Sequence, residues 1–111
     1  MISIFDNLAF NTSKTCTQSY STSFSHGIKF LSKNLHYPIY AIYGFVRFAD
    51  EIVDTFEGFN KKELLQKFKE DTFEAIKNGI SLNPILHSFQ KIVNEYKIDD
   101  ELIHTFLNSM E

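Results

Sequence analysis

The residues best suited to chemistry lie close together, in residues 40–56. On a helical wheel, at about 100° per residue, six polar residues fall in one narrow sector, here called the polar stripe: Tyr40, Tyr43, Arg47, Asp50, Glu51 and Asp54. Most of the remaining circumference is Ile, Val, Phe and Ala. A surface helix shows the opposite proportion, an apolar stripe on a polar cylinder. The stretch therefore predicts a helix that is buried nearly all round and turns its polar stripe toward a cavity or a partner.

Two carboxylates of the polar stripe are suited to binding a metal. Asp50 and Asp54 lie one helical turn apart, where like charges destabilise an isolated helix by about 0.2–0.5 kcal/mol. Hard carboxylate oxygens at this spacing suit Mg²⁺, or Mn²⁺ in its place, because such an ion keeps several waters and also holds substrate phosphates. The pattern predicts a magnesium and phosphate site. The alternative is a salt-bridged core helix that binds no ligand.

The only arginine of the chain is a further chemical signal. Ten of the eleven basic residues are Lys, and the single Arg, Arg47, lies in the polar stripe one turn before Asp50. A planar guanidinium can bind a phosphate through two parallel hydrogen bonds, whereas a lysine acts only as a point charge. We expect Arg47 to offset the aspartate charges and to bind an anionic substrate.

Composition and periodicity predict an all-α fold. The chain has twelve Phe and five Tyr but only four Gly and two Pro, so bulky apolar residues are common and turn formers are rare. Apolar residues recur at helical spacing in about five segments, which predicts a helical bundle. The polar residues 1–17 are expected to form a loose arm or a short helix. The helices are expected at about residues 20–35, at 38–56 after a break at 36–38, at 61–78 before Gly79, and at two segments capped by Asn83 and Asp99.

Charge and cysteine content exclude several classes of protein. Fourteen Asp and Glu against eleven Lys and Arg give a net charge of −3 without a basic cluster, so no nucleic acid is expected as a partner. Cys16 is the only cysteine, which excludes an intrachain disulfide and a cysteine-based zinc site and fits the cytoplasm. The sequence shows no signal peptide and no apolar run long enough to span a membrane.

The histidines have simpler interpretations. His26, His36 and His87 lack partners at metal-binding spacing and are interpreted as surface or packing residues. Glu101 and His104 have a spacing found in di-iron bundles, but such a site needs a second copy of the motif and two further glutamates. We therefore predict no metal site from the histidines.

Two segments together resemble a known family. YSTSF at residues 20–24, followed by YAIYGFVRFADEIVD at residues 40–54, is similar to the opening of the phytoene and squalene synthase family. The R-x-x-D-E-x-V-D form is closer to bacterial phytoene synthase than to squalene synthase, and the likeness extends from about residue 15 to the end. The resemblance implies the N-terminal portion of an isoprenoid-synthase-type fold.

The resemblance also implies a transferase that joins two prenyl diphosphates head to head. One allylic diphosphate ionises with the help of Mg²⁺, the second attacks the carbocation to give a cyclopropyl diphosphate, and rearrangement yields the hydrocarbon. The expected substrate is geranylgeranyl diphosphate, which gives phytoene for carotenoid biosynthesis. The alternatives are a squalene or dehydrosqualene synthase that uses farnesyl diphosphate and, from another class, a catalytically silent helical interaction module.

The same resemblance assigns roles to individual residues. Asp50 and Asp54 would be the first aspartate-rich motif, which binds diphosphate through Mg²⁺, and Arg47 would contact the diphosphate directly. Together with Tyr43 they form the expected catalytic set. The flap that closes over the diphosphate and the wall of the prenyl channel would supply the other substrate-binding residues: Tyr20, Ser21 and Ser23 in the flap, and Phe24 with Tyr43 in the channel.

Members of that family carry a second aspartate-rich motif on a later helix, and no residue after Asp54 supplies one here. The helical period of the last segment also continues to Glu111 without a stop signal. We therefore expect residues 1–111 to be a single all-α fragment from the front of a longer synthase, inactive alone. Such a fragment is expected to self-associate through its helix faces at residues 40–56 and 102–110. Lipophilic substrates favour peripheral contact with the inner face of the membrane.

Overall fold

The computed structural model describes residues 3–111, which fold into helices joined by short turns. The helices are α1 (Ile4–Tyr20), α2 (Thr22–Ile28), α3 (Lys33–Asp54), α4 (Lys61–Asn78), α5 (Pro84–Tyr96) and α6 (Asp100–Ser109). No strand occurs in this part of the chain, so the all-α prediction is confirmed, with six helices where about five were expected. Within the same residues, no helix combines the length and the hydropathy that crossing a membrane requires.

Helix α1 stands where a loose arm or a short helix was expected at residues 1–17; the loose arm is wrong for the residues described, and the helix is long, with 17 residues. Ser3 caps α1 by accepting a hydrogen bond from the backbone N–H of Asp6, and Asp6 accepts one from the backbone N–H of Ser3 in return. Small residues of α1 are buried against the bundle: Ala9, Ser13, Cys16 and Thr17. The segment as a whole is rich in Ser, Thr and Asn, which is typical of a loop. The small size of its buried residues nevertheless lets α1 pack closely on α3 and α5.

Helix α3 begins earlier than predicted. It starts at Lys33 and continues through the break expected at residues 36–38. Pro38 is the sixth residue of α3 and lies inside the helix, where a proline removes the hydrogen bond to the carbonyl of Asn34 and crowds that carbonyl. The rings of Tyr37 and Tyr40 pack against Phe10 of α1, with centroids 4.1 and 6.2 Å away. This contact between helices stabilises the segment that contains the proline.

The later helix boundaries follow the predictions. Gly79 ends α4 in the left-handed conformation, with φ at 73°, which glycine adopts without the steric cost of a Cβ. Asn83 and Asp99 cap α5 and α6 by accepting hydrogen bonds from backbone N–H groups of the first turn. These signals are local, so they can be identified in the sequence without knowledge of the packing.

The core lies where α3 meets α4, α5 and α6. Phe45 of α3 stacks face to face on Phe89 of α5, with ring centroids 3.8 Å apart, and lies 5.4 Å from the ring of Phe68 of α4. The other buried residues of this cluster are Ala49, Ile52, Leu65, Ala75, Leu86, Val93, Ile103 and Leu107. The cluster fixes α3, the helix that carries the polar stripe, against three other helices.

Helix α3 is less completely buried than predicted. Its core face is covered, but Ile42 and Phe48 remain 38% and 36% exposed, and Val46 and Val53 are half-buried. At about 100° per residue, Ile42, Val46 and Val53 lie side by side along one edge of the polar stripe, and we call them the apolar strip. A polar surface and an apolar surface therefore run next to each other along α3.

Candidate functional site

The polar stripe is partly covered by the elbow between α1 and α2, defined here as residues 20–24. The guanidinium carbon of Arg47 lies 4.7 Å from the centre of the Tyr20 ring, which is a cation–π contact. Phe24 stacks on Tyr43, with ring centroids 5.0 Å apart and the planes at 26°. The structure thus brings two of the predicted flap and channel residues onto two residues of the polar stripe.

The serines of the elbow have different surroundings. The Ser21 hydroxyl accepts a hydrogen bond of 3.0 Å from the backbone N–H of Phe24 and so caps α2. Ser23 is exposed in the first turn of α2. Ser21 therefore helps to shape the elbow, while a contact of either serine with a diphosphate stays a prediction.

Arg47 forms an ion pair with Glu51, a contact that is not predicted from the sequence. Its Nη2 donates to Oε2 of Glu51 at 3.4 Å, and the two side chains are only 23% and 17% exposed. Residues four apart on a helix are neighbours, and the ring of Tyr20 lies against the same guanidinium. The Nε of Arg47 is buried and has no hydrogen-bond partner among the residues described.

Glu51 is the acceptor at the centre of this contact. Hydrogen bonds from Thr55 and Tyr20 lower the pKa of Glu51, with burial opposing them and the charge of Arg47 assisting. The hydrogen bond to Glu51 is also the main cause that raises the pKa of Tyr20. At neutral pH Glu51 is therefore an anion and Tyr20 a neutral phenol, and Arg47 contacts both.

Asp50 and Asp54 lie at the C-terminal end of α3, and neither takes part in the ion pairs formed within residues 3–111. Asp50 is half-buried and Asp54 is exposed. Carboxylates are unfavourable at the negative end of a helix dipole, and the last turn of α3 has no basic residue. The Nζ of Lys61 does reach this end from α4 and donates to the carbonyl of Val53 at 2.8 Å. Two carboxylates left without partners one turn apart fit a hard divalent cation.

This aspartate pair is only part of a metal site. In the described portion of the chain, no three or more His, Cys, Asp and Glu side chains are arranged to hold a metal ion. Asp99, in the next pair of aspartates, serves as the cap of α6. His104 stacks on Phe73, with ring centroids 3.8 Å apart. Asp50 and Asp54 by themselves therefore do not make up a complete metal site.

The surroundings of several buried polar groups outside the polar stripe are not predicted from the sequence. The Nε2 of His87 lies 2.6 Å from Oδ1 of Asp6. Tyr37 has a buried hydroxyl without a partner in the described residues, and burial raises its pKa to about 12. Cys16, expected in the arm, is buried, and this burial raises the pKa of its thiol. These environments arise from contacts between helices, for which residue spacing gives no signal.

Comparison with known proteins identifies a family. Residues 17–111 match the family model described as squalene/phytoene synthase. The matched range contains the elbow, the polar stripe and every helix that follows. A comparison with curated proteins gives no significant match, and neither does a comparison with solved structures.

Proposed function

The chain belongs to the squalene/phytoene synthase family, and we propose that its polar stripe binds the diphosphate of a prenyl substrate for head-to-head prenyl transfer. Membership of the family supports an all-helical prenyltransferase that acts on prenyl diphosphates. The finer proposal is a phytoene synthase that joins two geranylgeranyl diphosphates in carotenoid biosynthesis. It rests on the R-x-x-D-E-x-V-D form of residues 47–54. A squalene or dehydrosqualene synthase that uses farnesyl diphosphate is the alternative.

One observation carries the proposal: the only arginine and two carboxylates without ion-pair partners in residues 3–111 share one face of α3. An acidic surface repels a diphosphate unless a cation lies between them, so Asp50 and Asp54 suit a magnesium diphosphate and not a free anion. Arg47 keeps a buried N–H without an acceptor in the described residues, and a phosphate oxygen is a suitable acceptor for it. The three side chains together favour a ligand that contains both a metal and a phosphate.

The surroundings of the stripe suit the hydrocarbon part of the same substrate. The apolar strip of Ile42, Val46 and Val53 lies beside the stripe on α3 and is not covered by other helices as completely as the core face. Phe24 and Tyr43 add a stacked aromatic pair at the same edge. A prenyl chain laid along this strip would place its diphosphate near Arg47 and the aspartates.

In the proposed mechanism the chain's own residues bind, orient and protect the substrate. Asp50 and Asp54 would hold Mg²⁺, or Mn²⁺ in its place, and the bound ion would neutralise negative charge on the diphosphate. Arg47 orients the diphosphate and stabilises the negative charge that develops on it as the allylic C–O bond breaks. Phe24 and Tyr43 keep water from the allylic carbocation. The double bond of the second prenyl diphosphate then attacks this carbocation, and loss of a proton gives the cyclopropyl diphosphate.

We expect no turnover by residues 1–111 alone, because the second aspartate-rich motif that the resemblance implies is not among them. Exposed apolar surface on α3 and at Leu102 of α6, which is 66% exposed, favours self-association of this chain in isolation. Lipophilic substrates and products favour loose contact with the inner face of the membrane from the cytoplasm.

The proposal is tested by titrating the chain with inorganic pyrophosphate in the presence and absence of Mg²⁺ in a calorimeter. Asp50→Asn and Asp54→Asn preserve side-chain shape and remove charge, so each is expected to abolish the Mg²⁺-dependent binding. The matched control is Asp71→Asn, which removes a carboxylate paired with Lys67 on α4 and should bind as the parent does. Near-normal binding in either stripe variant would overturn the metal role.

The same variants separate the rival functions in the full-length synthase. Both aspartate variants are expected to lose turnover of prenyl diphosphates while their melting temperature stays close to that of the parent. Product analysis with farnesyl and geranylgeranyl diphosphates distinguishes a squalene-type from a phytoene-type synthase. A full-length protein that binds no pyrophosphate and turns over neither substrate would favour the silent interaction module.

A further inference from the structure

We propose that Glu51 and Tyr20 are positioning residues, which hold the guanidinium of Arg47 in one orientation so that its remaining N–H groups face the diphosphate. The inference rests on the proposed function of Arg47 and deepens it. It assigns a role to Glu51, a member of the polar stripe for which residue spacing indicates none. It also changes the role of Tyr20, which acts here through Arg47 and not on the diphosphate itself.

The guanidinium of Arg47 is held on two sides by different kinds of contact. Tyr20 lies against its face, 4.7 Å from ring centre to guanidinium carbon, and Glu51 accepts from Nη2 at its edge, at 3.4 Å. A long flexible side chain loses conformational freedom when it binds a ligand. A contact at the face combined with a contact at the edge fixes the plane of the guanidinium before any ligand arrives, so that less freedom remains to be lost.

The two contacts with Arg47 come from different helices. Tyr20 lies against its guanidinium from the end of α1, and Glu51 accepts from it one turn further along α3. Tyr20 is the last residue of α1, whereas Arg47 and Glu51 both belong to α3. Contacts from two helices therefore determine the position of the Arg47 guanidinium, which does not depend on the rotamer preference of the Arg47 side chain alone.

The N–H groups of Arg47 that do not bind Glu51 indicate the function of this arrangement. Its Nε is buried without an acceptor in the described residues, and a buried donor of this kind calls for a partner supplied from elsewhere. A carboxylate that served only to neutralise Arg47 would weaken the attraction of the site for an anion. Glu51 accepts from Nη2 and leaves the hydrogen of Nε for an acceptor that a phosphate can supply.

How firmly the Arg47 guanidinium is held can be measured without any ligand. Because Arg47 is the only arginine, a ¹⁵N-labelled chain gives a single arginine Nε–Hε signal, which needs no assignment. In the parent this signal is expected to be narrow and to exchange slowly with water. Glu51→Gln, which removes the charge, and Tyr20→Leu, which removes the ring, should broaden it and speed the exchange severalfold. Tyr20→Phe keeps the ring that lies on the guanidinium, so its signal should stay closer to that of the parent than the signal of Tyr20→Leu does.

A matched control removes a carboxylate that does not contact Arg47. Glu57→Gln affects a side chain that is 81% exposed and paired with Lys61, and it should leave the arginine signal unchanged. Circular dichroism of each variant checks that the helices are retained; Tyr20 is 50% exposed, so its replacement leaves the core intact. A broad signal in the parent, or an unchanged signal in both Glu51→Gln and Tyr20→Leu, would overturn the inference.

Titration with inorganic pyrophosphate and Mg²⁺ separates this inference from the proposed function. Arg47→Ala should remove most of the binding, and Glu51→Gln and Tyr20→Leu should each weaken it about tenfold, as is usual for groups that orient a ligand without touching it. If Arg47→Ala binds as the parent does, the proposed function of Arg47 fails. If Arg47→Ala loses binding while Glu51→Gln and Tyr20→Leu keep it, the positioning inference alone fails.

Discussion

The imidazole of His87 and the carboxylate of Asp6 share a hydrogen bond of 2.6 Å between Nε2 and Oδ1, although 81 positions separate them in the chain. His87 is buried, and its Nδ1 accepts from the backbone N–H of Ser81 at 3.3 Å. Nε2 therefore carries the hydrogen that is donated to Asp6. Lys91 lies 3.6 Å from the second oxygen of the same carboxylate. These contacts attach the start of α1 to the start of α5.

Asp6→Asn is expected to lower the free energy of unfolding by about 1–3 kcal/mol at neutral pH, because a largely buried hydrogen-bonded charge is lost. The hydrogen bond from His87 lowers the pKa of Asp6 below its ordinary value of 3.8, with burial opposing it. A lowered pKa means that ionised Asp6 contributes its full stability above 3.8 and loses it as the pH falls through the folded-state value. Urea unfolding at a series of pH values measures the difference between parent and variant.

That difference should therefore be largest at neutral pH and should shrink below pH 3.8. Asp71→Asn is the control, since Asp71 is more exposed and pairs with a lysine on its own helix. A gap between parent and Asp6→Asn that stays constant down to the lowest pH would show that the ionised carboxylate does not stabilise the fold.

Gly44→Ala is expected to destabilise the chain. A Cβ at Gly44 would lie 3.2 Å from Cδ1 of Ile85 and 3.3 Å from the hydroxyl of Ser13, and both neighbours are fully buried. Overpacking of this kind costs about 1–3 kcal/mol, which outweighs the gain of about 1 kcal/mol from replacing a helical glycine by alanine. Gly27→Ala is the matched control, because nothing lies within 4 Å of the place that its new methyl group would occupy. Thermal melts should show a loss for Gly44→Ala and no loss for Gly27→Ala; equal effects would contradict the close approach of α1, α3 and α5.

Phe45→Ala should cost about 3–5 kcal/mol, since it removes the ring that stacks on Phe89 and approaches Phe68 in the core. The whole stability of a domain of this size is about 5–15 kcal/mol, so the variant should melt at a much lower temperature or fail to fold. Phe59→Ala removes a ring that is 69% exposed, and its melting temperature should stay close to the parent value. Comparable losses in the two variants would argue against the aromatic core as described.

Arg47→Lys is expected to reduce pyrophosphate affinity more than stability. Charge is retained, but the planar fork that can bind a phosphate with two donors is lost. The ion pair with Glu51 joins residues four apart on a helix, and such pairs contribute little to the free energy of unfolding. Calorimetric titration and a thermal melt of the same variant give the two quantities. If the melting temperature falls steeply while affinity is unchanged, Arg47 has a structural role instead of a binding role.

The sequence predicted the polar stripe because the stripe depends only on the helical period of residues 40–54. It predicted the ends of α4 and the caps of α5 and α6 for the same reason, since caps are local. The ion pair of Arg47 with Glu51 was not predicted, and neither was the contact of its guanidinium with Tyr20, which lies at the end of another helix. The length of α1 was not predicted, because the packing of its small residues against a close neighbour such as Gly44 cannot be read from residue spacing.

The family model begins at residue 17, and α1 begins at Ile4. A boundary drawn from sequence similarity therefore divides a single helix and leaves out Asp6, Ala9 and Ser13, which hold that helix to α3 and α5. A chain started at that boundary would keep Tyr20 at the elbow but lose most of the helix that places it beside Arg47. The helix that packs on α3 and α5 thus begins before the residues that match the family model.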